Sequence, residues 1–250
     1  MLNIVIPMAG AGSRFAKAGF KDPKPLILVN GQPMFEVVIN NLRPLEPHQF
    51  IFICQDSHIE KYDLEKKIKD IDRGAIVVGV SKLTAGAAET VLLAKEIIDT
   101  SDPLMIANCD QFIKYDINQY LEDFYTSGVD GFLMTMRAND NRWSFVGVNS
   151  DGLVVEVREK EVISNEATVG IYNFRLGSDF VRSAMKMIDQ NIRHKNEFYI
   201  APVYNELIAC RKRVRVHNIG ALGENMFGLG TPEDLEQALK LNVFCGVPHA

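Results

Sequence analysis

Three features of this 250-residue sequence predict an α/β fold in which a buried sheet is covered on both faces by helices. The first half alternates short apolar β-type runs with segments of helical period, the pattern of parallel strands joined by helical crossovers. The second half changes to closely spaced strands with a hairpin signal, which adds antiparallel strands and makes the sheet mixed. With 47% hydrophobic and 24% charged residues, the chain has enough apolar material to bury such a sheet and is unlike a disordered segment.

Taken in order, the first-half strands are Asn3 to Met8, Phe50 to Gln55, Ala75 to Val80 and Leu104 to Ala107. Helices are predicted from Pro33, a first-turn proline, to Leu42, from Asp56 to Lys69 and from Gly86 to Asp99. Asp116 opens a further helix that ends near Ser127-Gly128. In the second half, Gly131 to Met136, Phe145 to Asn149, Leu153 to Arg158 and Val169 to Phe174 read as strands, with Ser150-Asp151-Gly152 as a hairpin turn. Ser178 to Asn191 and Glu197 to Ala209 read as helices, Val214 to His217 as extended, and Thr231 as the N-cap of a last helix. No Pro/Ser/Gly-rich linker separates the halves. One domain over 1–250 is expected, with a nucleotide half over about 1–130 and an acceptor half over about 131–250.

The chemistry starts where the first strand runs into Ala9-Gly10-Ala11-Gly12-Ser13-Arg14-Phe15, followed by Asp22-Pro23-Lys24-Pro25-Leu26. Glycines at 10 and 12 let main-chain N–H groups approach an anion, and Arg14 and Lys24 place two cations beside it. A dinucleotide fingerprint would need glycine at 15, where Phe15 stands, and a Walker A loop would need Gly-Lys-Ser/Thr where Gly12-Ser13-Arg14 stands. A loop that wraps a polyphosphate while Arg14 stabilises a leaving pyrophosphate remains, beside the plainer reading of a surface turn with a salt-bridged arginine. Asp110 directly follows the buried strand Leu104 to Ala107. A carboxylate there either shares Mg²⁺ with substrate phosphates or caps the next turn, and the glycine turn nearby favours the metal.

Other functions are excluded by totals. The net charge of −5, without a basic cluster interleaved with aromatics, gives no footprint for nucleic acid. The run Arg211-Lys212-Arg213-Val214-Arg215 reads as a solvated turn. Cys54, Cys109, Cys210 and Cys245 are scattered and read as buried thiols in a reducing compartment. No apolar run approaches a membrane span, and the chain starts in a strand with no leader pattern, so a cytoplasmic protein without membrane contact is expected.

Read together, Met8-Ala9-Gly10-Ala11-Gly12-Ser13-Arg14-Phe15, Pro23-Lys24-Pro25-Leu26 with Gly31-Gln32-Pro33-Met34, Asp110, Glu159-Lys160, Gly170-Ile171-Tyr172 and Gly230-Thr231-Pro232-Glu233-Asp234 resemble the sugar-phosphate nucleotidyltransferases. The resemblance runs through nearly the whole chain in order. It implies a Rossmann-like three-layer α/β/α mixed sheet of the glycosyltransferase-A-like, nucleotide-diphospho-sugar transferase type. It also implies a reaction of nucleotide-sugar and polysaccharide biosynthesis: a sugar 1-phosphate attacks the α-phosphorus of a nucleoside triphosphate and pyrophosphate leaves with Mg²⁺.

By position, the resemblance assigns Ala9, Gly10, Gly12, Ser13, Gly86, Ala87 and Thr90 to the nucleotide, and Arg14, Lys24 and Asp110 to catalysis, with Asp110 also the metal ligand. Glu159, Lys160, Gly170 and Glu197 fall on the acceptor. From the residues alone, Lys160 is an exposed charge in Arg158-Glu159-Lys160-Glu161, and Glu197 is equally a helix-start residue. The phosphate monoester, with a second pKa near 6, is largely dianionic at neutral pH, so no base is needed and none of the five histidines has catalytic spacing. One departure stands out. Many relatives carry a second metal-binding aspartate two residues before the Gly-Thr, and this chain has Gly228, leaving Glu224 or Asp234 as substitutes if the loop brings them close.

Competing readings differ in the acceptor or the reaction. A cytidylyltransferase for an amino-alcohol phosphate would share many of these residues. A glycosyltransferase lacks its D-x-D motif, since position 108 is Asn, and a nucleotide sensor leaves Arg14, Lys24, Asp110 and Lys160 unexplained. Base, acceptor and homo-oligomerisation are left open.

Overall fold

In the computed structural model, which describes residues 1–244, the first strand β1 (Leu2–Pro7) lies inside the parallel part of a nine-stranded sheet. After it come α1 (Ser13–Lys17), a 3₁₀ turn (Lys24–Leu26), β2 (Leu28–Val29), β3 (Gln32–Pro33), α2 (Met34–Leu42) and β4 (His48–Gln55). Next are α3 (Asp56–Tyr62), α4 (Leu64–Ile71), β5 (Ile76–Val80), α5 (Ala87–Leu92), α6 (Lys95–Ile98), β6 (Leu104–Ala107) and β7 (Gln111–Ile113). The chain continues through α7 (Ile117–Ser127), β8 (Gly131–Arg137), β9 (Ser144–Val148), β10 (Val154–Glu159), β11 (Glu166–Phe174) and α8 (Gly177–Asp189). It ends with α9 (Val203–Ala209), β12 (Val214–Ala221), β13 (Met226–Gly228) and α10 (Pro232–Lys240).

Strands β6, β1, β4 and β5 are parallel neighbours. β11 joins the two halves: on one side Ile171 to Phe174 pair antiparallel with β6 and Ala167 with β9, while β8 runs along the other side. β12 then pairs parallel with β8 and β10 antiparallel with β9, so the expected mixed sheet forms. Side chains of β1 alternate between two cores, which makes three layers. Ile4 and Ile6 pack with Phe35 of α2, Ile68 of α4 and Phe124 of α7, whereas Val5 packs with Val91 of α5, Phe180 of α8 and Tyr204 of α9.

Capping residues act as the sequence predicts: Asp116 accepts from the Asn118 N–H at 2.9 Å, Gly128 ends α7 in a left-handed conformation, and Thr231 accepts from the Asp234 N–H at 3.1 Å. Several extents differ. The helix expected over 56–69 is split by Asp63, whose φ of 52° breaks the helical path, and the one over 86–99 is interrupted where Leu93 and Ala94 form i→i−3 bonds. The helix expected from Glu197 starts only at Val203, because Phe198 is held extended against the 85–88 loop by its N–H to Ala85 O (2.7 Å) and its carbonyl to Ala88 N (2.9 Å). Cys54 and Cys109 are buried, Cys210 is exposed, and Cys245 lies outside the described residues.

A third, smaller core positions the functional loops. Phe15 of α1, Ile27 after the 3₁₀ turn, Phe112 of β7, Phe227 of β13 and Leu235 of α10 pack together. Arg14, Lys24, Asp110 and Gly228, each within three residues of one of them in sequence, are thereby brought to one region.

Candidate active site

A cavity of about 870 Å³ opens at the carboxyl ends of β1 and β6, the end where open α/β sheets bind ligands. Arg14, Ala87, Asp110, Glu159, Lys160, Gly170 and Glu197 all line it. Residues from both halves of the sequence therefore face the same space. Ala9, Gly10, Gly12, Ser13, Lys24, Gly86 and Thr90 are not in its lining, and each has its own position.

Lys24 reaches the cavity through Asp110, its Nζ lying 2.9 Å from Oδ2. Burial pushes the Lys24 ammonium down, but the Asp110 carboxylate outweighs it and holds the pKa above its ordinary value, even against the repulsion of Arg14. Gly12 caps α1 with φ 59°, and a Cβ there would lie 3.5 Å from Lys24 Cβ, so the glycine turn and the Pro-Lys-Pro anchor pack closely. The carbonyls of Ala9 and Gly10 are both taken by Gln55 Nε2 at 3.1 Å. Gln55, at the end of β4, thus orients the turn.

Gly86 and Thr90 shape their loop from within. Thr90 is buried, with its hydroxyl on Gly86 O (3.0 Å) and Thr84 Oγ1 (2.5 Å). Gly86, with φ 135°, lies so close to Phe198 that a Cβ would collide with its main chain. Gly86→Ala is expected to cost at least about 2 kcal/mol, lowering Tm by roughly 4–8 °C in a chain of this size. An unchanged thermal melt would show that the 84–88 loop and the 194–199 segment are not locked together.

The segment 194–199 is a tight hairpin: His194 and Glu197 exchange main-chain bonds at 3.0 and 2.9 Å, and Lys195 and Asn196 between them both have positive φ. Glu197 is therefore a hairpin residue facing the cavity, where its carboxylate accepts the Tyr199 hydroxyl at 2.6 Å. Lys160 is not a free surface charge. Its backbone is left-handed (φ 56°), its Nζ is 2.9 Å from Glu159 and 4.9 Å from the Tyr199 ring centroid, and Ser144 fixes the other Glu159 oxygen. Gly170, with φ 85°, lets β11 pass against Asn108 and Gln111, and its carbonyl takes both the Asn108 N–H (3.0 Å) and Gln111 Nε2 (3.1 Å).

For a divalent cation, Asp110 offers Oδ1, which makes no hydrogen bond among the described residues, and Gly230 keeps the adjacent space open, since a Cβ there would lie 2.6 Å from Oδ2. Among the described residues no three His, Cys, Asp or Glu side chains form a metal cage. One carboxylate beside an anion site suits Mg²⁺, which fills the rest of its shell with phosphate and water. Glu224 points instead at Arg137 (3.8 Å) outside the cavity lining, and Asp234 lines the cavity paired with Arg142 at 3.1 Å.

A family described as nucleotidyl transferase matches residues 4–208, which include most of the elements that build this cavity. The chain belongs to that nucleotidyl transferase family. The solved nucleoside-diphosphate-sugar pyrophosphorylase of Vibrio cholerae RC9 is 26% identical, with a TM-score of 0.80 over 95% of this chain and 99% of that one. The inositol-1-phosphate CTP transferase of T. maritima shares the fold at a TM-score of 0.74 and 16% identity, over 99% and 98% of the two chains. Among curated relatives, the bifunctional protein GlmU of Methanocaldococcus jannaschii is 24% identical over 177 residues, 69% of this chain. The match spans 40% of the length of that relative.

Sequence reasoning missed Gln55, Arg142, Trp143, His194 and Tyr199, of which all but Gln55 line the cavity of this family member. A signal for Trp143 existed: it is the single tryptophan, set in a polar stretch immediately before a strand. Its Nε1 and His194 Nε2 are buried without a hydrogen-bond partner. Such groups cost free energy until an oxygen or nitrogen satisfies them, which marks this side of the cavity for a polar ligand.

No helix among the described residues is long and apolar enough to cross a membrane.

Proposed function

We propose that this protein transfers a nucleoside monophosphate from a nucleoside triphosphate to a sugar 1-phosphate, giving a nucleotide sugar and pyrophosphate. The observation that carries the reading is one cavity lined at once by the glycine-turn cation Arg14, the strand-end carboxylate Asp110 and the pair Glu159-Lys160. The triphosphate lies along the glycine turn with its base toward Ala87. The sugar phosphate lies toward Lys160 and Glu197, with its phosphate on the lysine and its hydroxyls on the carboxylates. In the reaction a phosphate oxygen of the acceptor forms a bond to the α-phosphorus, and the bond to the β-phosphate oxygen breaks. No proton has to move, since the attacking monoester is already a dianion.

The chain's groups then have separate tasks. Arg14, which forms no ion pair among the described residues, stabilises charge on the departing pyrophosphate. Lys24 fixes Asp110, which would hold a magnesium ion beside the triphosphate. When bound, that ion neutralises phosphate charge. An oxygen-rich acceptor is favoured over a cationic amino-alcohol phosphate because the Tyr199 and Trp143 rings each already carry a cation: Lys160 lies 4.9 Å from the Tyr199 ring and Arg142 5.0 Å from the Trp143 ring.

The test is pyrophosphate release with four triphosphates crossed against sugar 1-phosphates and phospho-alcohols, with and without Mg²⁺. Release is expected only when triphosphate, a sugar 1-phosphate and metal are all present. Rapid triphosphate hydrolysis without an acceptor, or sugar transfer from a nucleotide sugar, would sink the reading.

A further inference from the structure

Gly228 carries no side chain, and the structure shows what lies beside it. A Cβ on Gly228 would lie 3.5 Å from both Cγ and Oδ2 of Asp234, so the Asp234 carboxylate borders the ground that a side chain at 228 would take. That carboxylate is already neutralised by Arg142, whose Nη1 lies 3.1 Å from Oδ1. The carboxylate at this edge is therefore paired and not open to a cation. A carboxylate at 228 would present an open negative charge for a cation, whereas this chain presents a guanidinium anchored on a carboxylate.

Arg142 is held there from several directions. Its main-chain N–H donates to Asp140 Oδ1 at 2.9 Å and its main-chain carbonyl accepts Lys160 Nζ at 3.3 Å, while its guanidinium lies over the Trp143 ring with Nε 3.5 Å from Asp140 Oδ2. This is much ordering for a side chain that is 43% exposed, and ordering a long side chain has an entropic cost that a solvated charge avoids. Nη2 makes no hydrogen bond among the described residues. The residue thus bridges the space between Lys160 and the Asp234–Gly228 edge of the cavity, with Nη1 on Asp234, Nε 3.5 Å from Asp140 Oδ2 and Nη2 open.

We propose that Arg142 is a second ligand of the acceptor's phosphate, keeping Nη1 on Asp234 and turning Nη2 to the phosphate beside Lys160. This rests on the nucleotidyl-transfer reading and adds to it a residue at the Gly228 edge of the cavity. A triphosphate and a phosphate dianion must approach each other; Lys24 is paired with Asp110, Lys160 with Glu159 and Arg142 with Asp234 and Asp140, and what Arg142 adds is the unoccupied donor Nη2. A fixed planar guanidinium meets that need without another metal-binding carboxylate, because its fork of donors serves a carboxylate and a phosphate at once.

The test compares Arg142→Gln, Arg142→Lys and Asp234→Asn in the full chain. Acceptor and triphosphate KM are measured with the acceptor that supports the fastest pyrophosphate release, and inorganic phosphate is titrated into each protein by calorimetry. Losing a charge-assisted bond to phosphate should raise acceptor KM about tenfold or more in Arg142→Gln, with a parallel loss of phosphate affinity. Triphosphate KM should stay within about twofold, Arg142→Lys should fall between, and Asp234→Asn should cost less than about threefold because the guanidinium remains. A strut would behave otherwise. Equal KM losses in Arg142→Gln and Asp234→Asn with matching drops in melting temperature would overturn the proposal, as would unchanged phosphate affinity in Arg142→Gln. If no phosphorylated acceptor supports release, the transfer reading fails, and the phosphate titration still decides whether Arg142 binds phosphate.

Discussion

Asp110→Asn is expected to lower pyrophosphate release by about a thousandfold or more, because the substitution keeps the shape and removes the charge that holds a cation against the triphosphate. Asp110 stands three residues past β6 and directly before β7, and its main-chain oxygen takes the Leu229 N–H at 2.7 Å, so the backbone around it is fixed by the β7–β13 ladder rather than by its carboxylate. The side chain has one other task, pairing with Lys24 at 2.9 Å. In Asp110→Asn that ammonium loses its counter-charge in a largely buried place, so some stability is lost along with activity.

A second variant separates the two effects. Adding Lys24→Met to Asp110→Asn should restore most of the melting temperature and none of the turnover. Glu224→Gln and Asp234→Asn should leave the magnesium requirement unchanged, since the first carboxylate faces Arg137 and the second is neutralised by Arg142. The protein without nucleotide should bind magnesium weakly in calorimetry, as one carboxylate attracts the ion poorly. Tight binding without nucleotide, or a second protein carboxylate on the metal in a nucleotide complex, would refute the assignment.

Much of this was legible in the sequence because the strong signals are local. β-type runs, an N-capping Asp116 or Thr231 and a left-handed Gly128 depend on neighbours a few residues away, and each took its expected place. The placement of Arg14 and Asp110 in the cavity was legible for a related reason: the strand before each is short and mostly apolar, and the carboxyl end of such a strand is where ligands bind. Helix extent was less legible. Nothing near Glu197 in sequence says that Phe198 pairs with a loop more than a hundred positions earlier, and that pairing makes a hairpin where a helix start was expected. The same non-local pairing gives Gly86 its meaning, which is close backbone approach. β7 and β13, three residues each, carry no pattern that distinguishes them from loop, and they exist through pairing with each other. Arg142 illustrates the remaining gap: an arginine in a polar loop reads as solvated, and only its partners Asp234 and Lys160 place it in the cavity.

Arg14→Ala is the counterpart experiment on the leaving side of the reaction, and turnover is expected to fall about a hundredfold or more while nucleotide affinity changes less than about threefold. The structure makes this a clean test. Phe15 anchors α1 in the third core and meets Phe20 edge-on at 5.1 Å, so the helix keeps its seat when the exposed neighbouring arginine is truncated. On the proposed reading the triphosphate would also retain the amides of the glycine turn and the Lys24–Asp110 pair, which would hold it in the ground state and the transition state alike. Only the charge that builds as pyrophosphate departs goes unanswered, and interactions made mainly in the transition state appear in turnover. Lys160→Ala should show the opposite division, raising acceptor KM with a smaller effect on turnover, because an acceptor's phosphate is as charged before attack as during it. Both variants should melt within a few degrees of the parent, roughly the shift that 1 kcal/mol produces in a chain of this length. If steady-state kinetics place the Arg14 effect on nucleotide KM and the Lys160 effect on turnover, the two cations have been assigned to the wrong ends of the cavity. The acceptor phosphate would then lie against the glycine turn.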